Sequence, residues 1–372
     1  MIDFDLDIEG EVQWYHCVFF LVFYISTFWA NRKLLTTPNS QKNNNIGKIF
    51  LFVSLITLSI VAVTDNDFFH YADMIYSEID DGYMEPIYYW LSDFVNHNYL
   101  LWRILVWGSA LFVVLLIFKR LELDLQIVFL ILFLCYINLF SYARASLACA
   151  VYFLGFTYLI KPAKIKILSY IWGITIILCS HFFHNSIFFL IAITPLIIIP
   201  MNKFTIGPII IIAIALASIA YQYFYSNISY FIGADNYADR FLSYTETHKS
   251  LMGDGISDVL EIVLRYGSFM LPFLFLSRRI LIHTTKIDSA TLLMYKMVII
   301  IIFFAITLGL LTHTAYFFYR LLYMSIIPIS ALLATTYSKS IISHNEFKLC
   351  IYWGIADILY LNSYVIYVWL WY

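Results

Sequence analysis

Four clusters of polar side chains interrupt a chain that is otherwise apolar, and each has residue types that could do chemistry. The first is TDNDFFHYADMIYSEIDDGYMEPIYYWLSDF at 64–94, where Asp65, Asp67, Tyr71 and Asp73 precede Glu85 and Pro86. A carboxylate at a membrane surface can act as general base toward a sugar hydroxyl when burial or a neighbour tunes it. The mixture of aromatic faces and carboxylates also suits a glycan cleft, though an interfacial aromatic belt has the same composition. The second cluster is LFSYARASLA at 139–148, in which Arg144 opens an apolar run and Ala145, Ser146, Ala148 and Ala150 would let a neighbouring helix come close. A guanidinium at the positive end of a helix is unfavourable without an anion, so phosphate is its natural partner.

The third cluster is SHFFHNS at 180–186. His181 and His184 are spaced like a metal pair, but no third ligand follows at a known spacing, so no metal is expected. Either imidazole could serve as a base or donate to a phosphate or glycosidic oxygen, or could simply be a polar turn residue. The fourth is THTAYFFYRLLY at 312–323, where Arg320 and Tyr323 share a helical face and could grip one anion together. Arg240, in NYADRFLSY, could close over such a site as a movable element.

The elements that would position these clusters follow from composition. Of 372 residues 62% are hydrophobic and only 12% are charged, about half the charge of a soluble domain. Apolar segments of about 17 to 22 residues recur along the chain, the length a helix needs to cross a hydrocarbon core. The expectation is an all-α polytopic membrane protein forming a single domain over 1–372. It has about twelve spans, at 13–30, 47–63, 100–118, 125–141, 145–160, 166–181, 184–200, 206–225, 259–277, 292–312, 317–336 and 349–370. All five cysteines lie inside apolar runs and read as packing residues. The acidic start MIDFDLDIEGE lacks the basic region of a cleavable signal. A net charge of −2 and the lack of a phosphate-binding glycine loop argue against nucleic-acid and nucleotide partners.

Sixteen of the 22 basic residues fall in alternate gaps between these spans or in the span ends that border them, among them those of the connector 31–46 and Lys161, Lys164 and Lys166. That side is predicted to be cytoplasmic. Both termini and the long loops 64–99 and 226–258 then face outward, the loops folding back as short helices. Arg103, Arg144, Arg240, Lys249, Arg265 and Arg320 are left on the outer side against this bias. They either pair with outer acids and headgroups or, as a set, meet a polyanionic ligand, for which arginine is well shaped. Charge within the spans is scarce, with Lys296 and Asp357 the main examples, which weakens a coupled-transporter reading.

In order and sidedness, EPIYYWL (85–91), YARASLA (142–148), HFFHNSIFFL (181–190) and YRLLY (319–323) resemble the EpsG-like branch of the Wzy-type polysaccharide polymerases. The resemblance implies a GT-C-like helical bundle in the bacterial inner membrane. Its reaction would join undecaprenyl-pyrophosphate-linked oligosaccharide repeat units into O-antigen, capsule or a related polymer, without a cofactor and together with a chain-length regulator. It implies pyrophosphate binding by Arg144 and Arg320, and it matches Glu85 to an acidic residue before Pro-x-Tyr and His184 to the histidine of an H-x-S pattern. Asp65 or Asp67 would be the early aspartate. The catalytic base stays open among Glu85, His184 and these aspartates, as does the choice between His181 and His184. An O-antigen ligase and a flippase of lipid-linked glycans are the alternatives.

Overall fold

The structure, a computed structural model, describes residues 85–124, 143–199, 206–231, 276–282, 287–312 and 324–352, with isolated positions elsewhere. Their regular structure is helical throughout. The chain divides into two compact units, one of Met1–Ile187 with Ser343–Tyr372 and one of Phe188–Ile342.

The first unit contains α1 (Pro86–Phe94), α2 (Tyr99–Arg120), α3 (Ala143–Ile160) and α4 (Lys166–Cys179). Pro86 starts α1 where a missing N–H costs nothing, and it holds Glu85 in extended backbone at φ −66°, ψ 146°. The chain then turns through Asn96 and His97, both left-handed at φ 52° and 56°. The His97 N–H closes onto the Ser92 carbonyl at 2.9 Å. Asn98 caps α2 by accepting the Leu101 N–H at 3.0 Å. Lys119 and Arg120 occupy the last turn of α2, where the helix dipole favours cations. At 22 residues, α2 is about 33 Å long, enough to cross a bilayer.

α3 and α4 form a hairpin whose two backbones nearly touch. A Cβ added at Gly155 would lie 2.7 Å from the Gly173 carbonyl oxygen, and one at Gly173 would lie 2.9 Å from that of Gly155. Ser169 ties the turn, accepting the Ala163 N–H and donating to the Tyr158 carbonyl, each at 3.2 Å. The face of α4 buried in the protein carries Ser169, Gly173 and Ile177. Its exposed face carries Ile167, Leu168, Ile171, Trp172, Ile174 and Leu178. Small Ser169 and Gly173 on the packed side with a continuous bulky apolar face outside is the arrangement of a helix facing lipid. The fold is therefore that of a helical membrane protein.

The second unit contains α5 (Phe188–Ile193), α6 (Ile206–Phe231), α7 (Ser289–Thr312) and α8 (Ile326–Ser338), with a 3-10 turn at Thr194–Ile198. α7 packs against both α6 and α8. Asp288 caps α7, accepting the Thr291 N–H at 2.7 Å, and pairs with Lys339. Fully buried Lys296 donates to the Ile199 carbonyl, so this intramembrane charge closes the end of a helical turn.

Among the described residues, α2 and Ser289–Leu308 of α7 are long and apolar enough to cross a membrane. The expected spans at 100–118, 166–181, 206–225 and 292–312 coincide with helices of nearly those limits. The run 184–200 is not one α-helix. It runs through a 3-10 turn, the short α5 and a second 3-10 turn, the last containing Pro195, which cannot donate a helical hydrogen bond. Of 317–336 the described residues are Leu321, Leu322 and 324–336, with α8 beginning at Ile326. The expected spans 13–30, 47–63, 125–141, 259–277 and 349–370 lie largely outside the described residues, as does Asp357. Within 64–99, the segment expected to be an outer loop with short helices, α1 is a short helix.

Candidate functional site

Three sequence-distant segments of the first unit meet on one carboxylate. Glu85 is 6% exposed, and although it stands at the N-cap of α1 its side chain does not cap that helix. The extended backbone imposed by Pro86 leaves the carboxylate for other partners. Oε2 accepts a charge-assisted bond from Arg144 Nη1 at 2.9 Å. Oε1 faces His184 Nδ1 at 2.8 Å and also accepts the Asn185 backbone N–H at 3.3 Å.

Burial by itself raises the pKa of Glu85. The hydrogen bond and charge of His184, with the charge of Arg144, outweigh that and bring it from the usual 4.5 down to about 2. The group is a permanent carboxylate at neutral pH.

Arg144 enters from the first turn of α3 and is 7% exposed. Its Nε donates to Tyr71 Oη at 2.7 Å, and its Cζ lies 5.1 Å from the Tyr71 ring centroid. Tyr88, one turn into α1 from Glu85, donates its hydroxyl to the Arg144 carbonyl at 3.4 Å. Trp102 of α2 donates its indole N–H to the Tyr88 carbonyl at 3.3 Å. Its ring lies 5.6 Å from that of Tyr71 and 5.8 Å from that of Tyr88. These aromatic residues wall the ion pair and keep its surroundings apolar, which strengthens the pairing.

His184 sits between the 3-10 turns Ser180–Phe182 and Asn185–Ile187 that follow α4. The Ile187 N–H returns to the His184 carbonyl at 3.2 Å, fixing the loop that aims the ring. The α3–α4 hairpin brings Arg144 and His184 to the same end, since the glycine crossing is equally far along the chain from each. Nearby, Ser186 Oγ is buried without a hydrogen-bond partner.

Of the residues singled out in the sequence, the structure gathers Glu85, Arg144, His184 and Tyr71. His181 is exposed and takes no part in this network. Asp65, Asp67, Arg240, Arg320 and Tyr323 lie outside the described residues. Tyr88 and Trp102 were not singled out; the signal for Tyr88 was its place one helical turn after Glu85. Among the described residues, no group of three or more His, Cys, Asp or Glu is placed to hold a metal.

The profile of the EpsG family matches residues 46–372, which include every residue of this site. The chain belongs to the EpsG family. That family comprises Wzy-like polysaccharide polymerases and EpsG-type membrane proteins. Comparison with curated proteins and with solved structures finds no match. Within this EpsG-family chain, the end of the hairpin that carries Arg144 and His184 lies opposite the turn that carries Lys161, Lys164 and Lys166.

Proposed function

We propose that this protein is a polysaccharide polymerase that joins undecaprenyl-pyrophosphate-linked oligosaccharide repeat units on the outer face of the bacterial inner membrane. The observation that carries the proposal is the buried Glu85 carboxylate held between Arg144 and His184. A buried pair of opposite charges is weak as a stabilising device, because desolvation offsets most of the attraction. Its presence in an EpsG-family membrane chain supports a chemical role. The basic turn at the opposite end of the α3–α4 hairpin supports an outward-facing site and outward-facing termini.

In this reading the acceptor hydroxyl attacks the sugar carbon joined to pyrophosphate, and charge builds on the departing lipid pyrophosphate. Arg144 and Arg320 meet that charge, with Arg240 and Tyr323 contributing to the same ligand. The assembled polymer is O-antigen, capsule or a similar glycan, and a chain-length regulator is the protein partner. No metal is needed for leaving-group neutralisation by arginine, so chelation is expected to leave turnover unchanged. Loss of activity on chelation, restored by a divalent ion, would contradict that.

Deletion of the gene tests the reading through surface polysaccharide length. Single repeats attached to their terminal acceptor are expected. Long unattached lipid-linked chains would instead identify a ligase, and units stranded inside the cell a flippase.

A further inference from the structure

Among the described residues, the site contains two groups that could accept a proton, and their geometry separates them. Both Glu85 oxygens are engaged, Oε2 by Arg144 and Oε1 by His184 and the Asn185 amide. The Arg144 charge and these hydrogen bonds hold the carboxylate ionised, so it is a poor proton acceptor at neutral pH. An ionised carboxylate can only accept hydrogen bonds, so the proton between Glu85 and His184 belongs to Nδ1 of the ring. The neutral imidazole with that tautomer carries its lone pair on Nε2. The Asn185 N–H bonds the same Oε1 that faces Nδ1 and stops the carboxylate from rotating away.

We propose that His184 is the catalytic base of the transfer, taking the acceptor hydroxyl proton at Nε2, and that Glu85 is its positioning residue and not a base. This rests on the polymerase reading above. The acceptor O–H bond breaks with its proton passing to Nε2, while the oxygen forms a bond to the anomeric carbon of the donor. The bond from that carbon to pyrophosphate breaks, and its electron pair leaves with the undecaprenyl pyrophosphate. The imidazolium then releases its proton to solvent, restoring the resting tautomer. Among the described residues, the charged groups of this cluster are Glu85, which meets the ring at Nδ1, and Arg144 of α3 on the other oxygen of Glu85, with Tyr71 on Arg144 and exposed His181 on the ring's own segment.

The test uses the full chain in lipid nanodiscs, with the lipid-linked single repeat extracted from the deletion strain as substrate. His184→Gly is expected to lower kcat by about 10²- to 10⁴-fold with KM little changed. Exogenous imidazole should restore part of that rate. Glu85→Gln should lower kcat roughly 10²-fold through misorientation of the ring, should not respond to imidazole, and should move the acid limb of the rate profile to lower pH. That shift is expected because a neighbouring carboxylate favours the charged form of an imidazole. Unchanged turnover in His184→Gly overturns the assignment. So does an inactive His184→Gly that imidazole does not revive, combined with an unmoved acid limb in Glu85→Gln. A wild-type protein that makes no polymer from this substrate overturns the polymerase reading and the assignment with it.

Discussion

Arg144 and Arg120 lie at opposite ends of α3, and each guanidinium faces a tyrosine, yet they are used differently. Arg120 sits 3.7 Å above the Tyr158 ring and donates to the Lys161 carbonyl at 2.6 Å, closing the end of α3. Its hydrogen-bond acceptor is a peptide group, which has one charge state, and Lys161 and Glu122 form an exposed ion pair beside it at 2.9 Å. Arg144 is instead buried against an ionised carboxylate that also holds a histidine. Closing a helix needs only a donor and a carbonyl. Burying Glu85 adds a desolvation cost that no structural task at that position demands.

The largest effect separates the two arginines. Arg144→Ala leaves the buried Glu85 carboxylate without its guanidinium partner, which should destabilise the protein by about 3 to 5 kcal/mol and abolish polymerisation. Arg120→Ala should cost about 1 kcal/mol and leave turnover near wild type. Thermal unfolding in detergent and polymer assays on both variants check this, and equal losses of activity would erase the distinction.

Acidification should also act on one end only. Because the folded-state pKa of Glu85 lies below its unfolded value, the unfolded chain takes up the proton first, so stability falls as pH drops from about 4.5 toward 2. The loss should approach about 3 kcal/mol and be missing from the unfolding curves of Glu85→Gln. Identical pH slopes for the two proteins would argue against a buried, ionised Glu85.

Smaller effects probe how the two ends are held. Gly155→Ala would push its Cβ into the Gly173 carbonyl and the Ile177 backbone at 2.9 Å. It should cost about 1 to 3 kcal/mol and reduce activity by moving Arg144 relative to His184. Gly108→Ala in α2, where a Cβ meets nothing within 4 Å, should instead stabilise the protein by about 0.5 to 1 kcal/mol. Tyr71→Phe removes one hydrogen bond to Arg144 and should cost about 1 kcal/mol. Glu122→Ala breaks only the exposed pair with Lys161, so a change below about 0.5 kcal/mol is expected. A larger change there would mean that the Arg120 end is not a simple closure.

The helices were legible because length and hydropathy are local properties. α2, α4 and α7 fall within a few residues of the expected limits. The 3-10 turns within 184–200 were not legible, because hydropathy does not register local backbone geometry or the donor that Pro195 lacks. Arg144, Glu85 and His184 were visible as residues out of place among apolar neighbours, but their meeting was not. Contacts across 59 and 99 residues leave no periodic trace in a single sequence. The pairing of His184, and not His181, with Glu85 depends on how two 3-10 turns aim the ring, which spacing alone does not reveal.

The same long separations put the site on a clock during biosynthesis. Glu85 is made 59 residues before Arg144 and 99 before His184. At ribosomal speed it waits roughly 3 to 12 seconds for its cation and roughly 5 to 20 for its imidazole. Until α3 arrives, the carboxylate belongs in water, so α1 can settle against its neighbours only after the chain has brought Arg144 to it. A nascent chain that stalls before that point would present an unpaired acidic residue, a mark that membrane quality control could read.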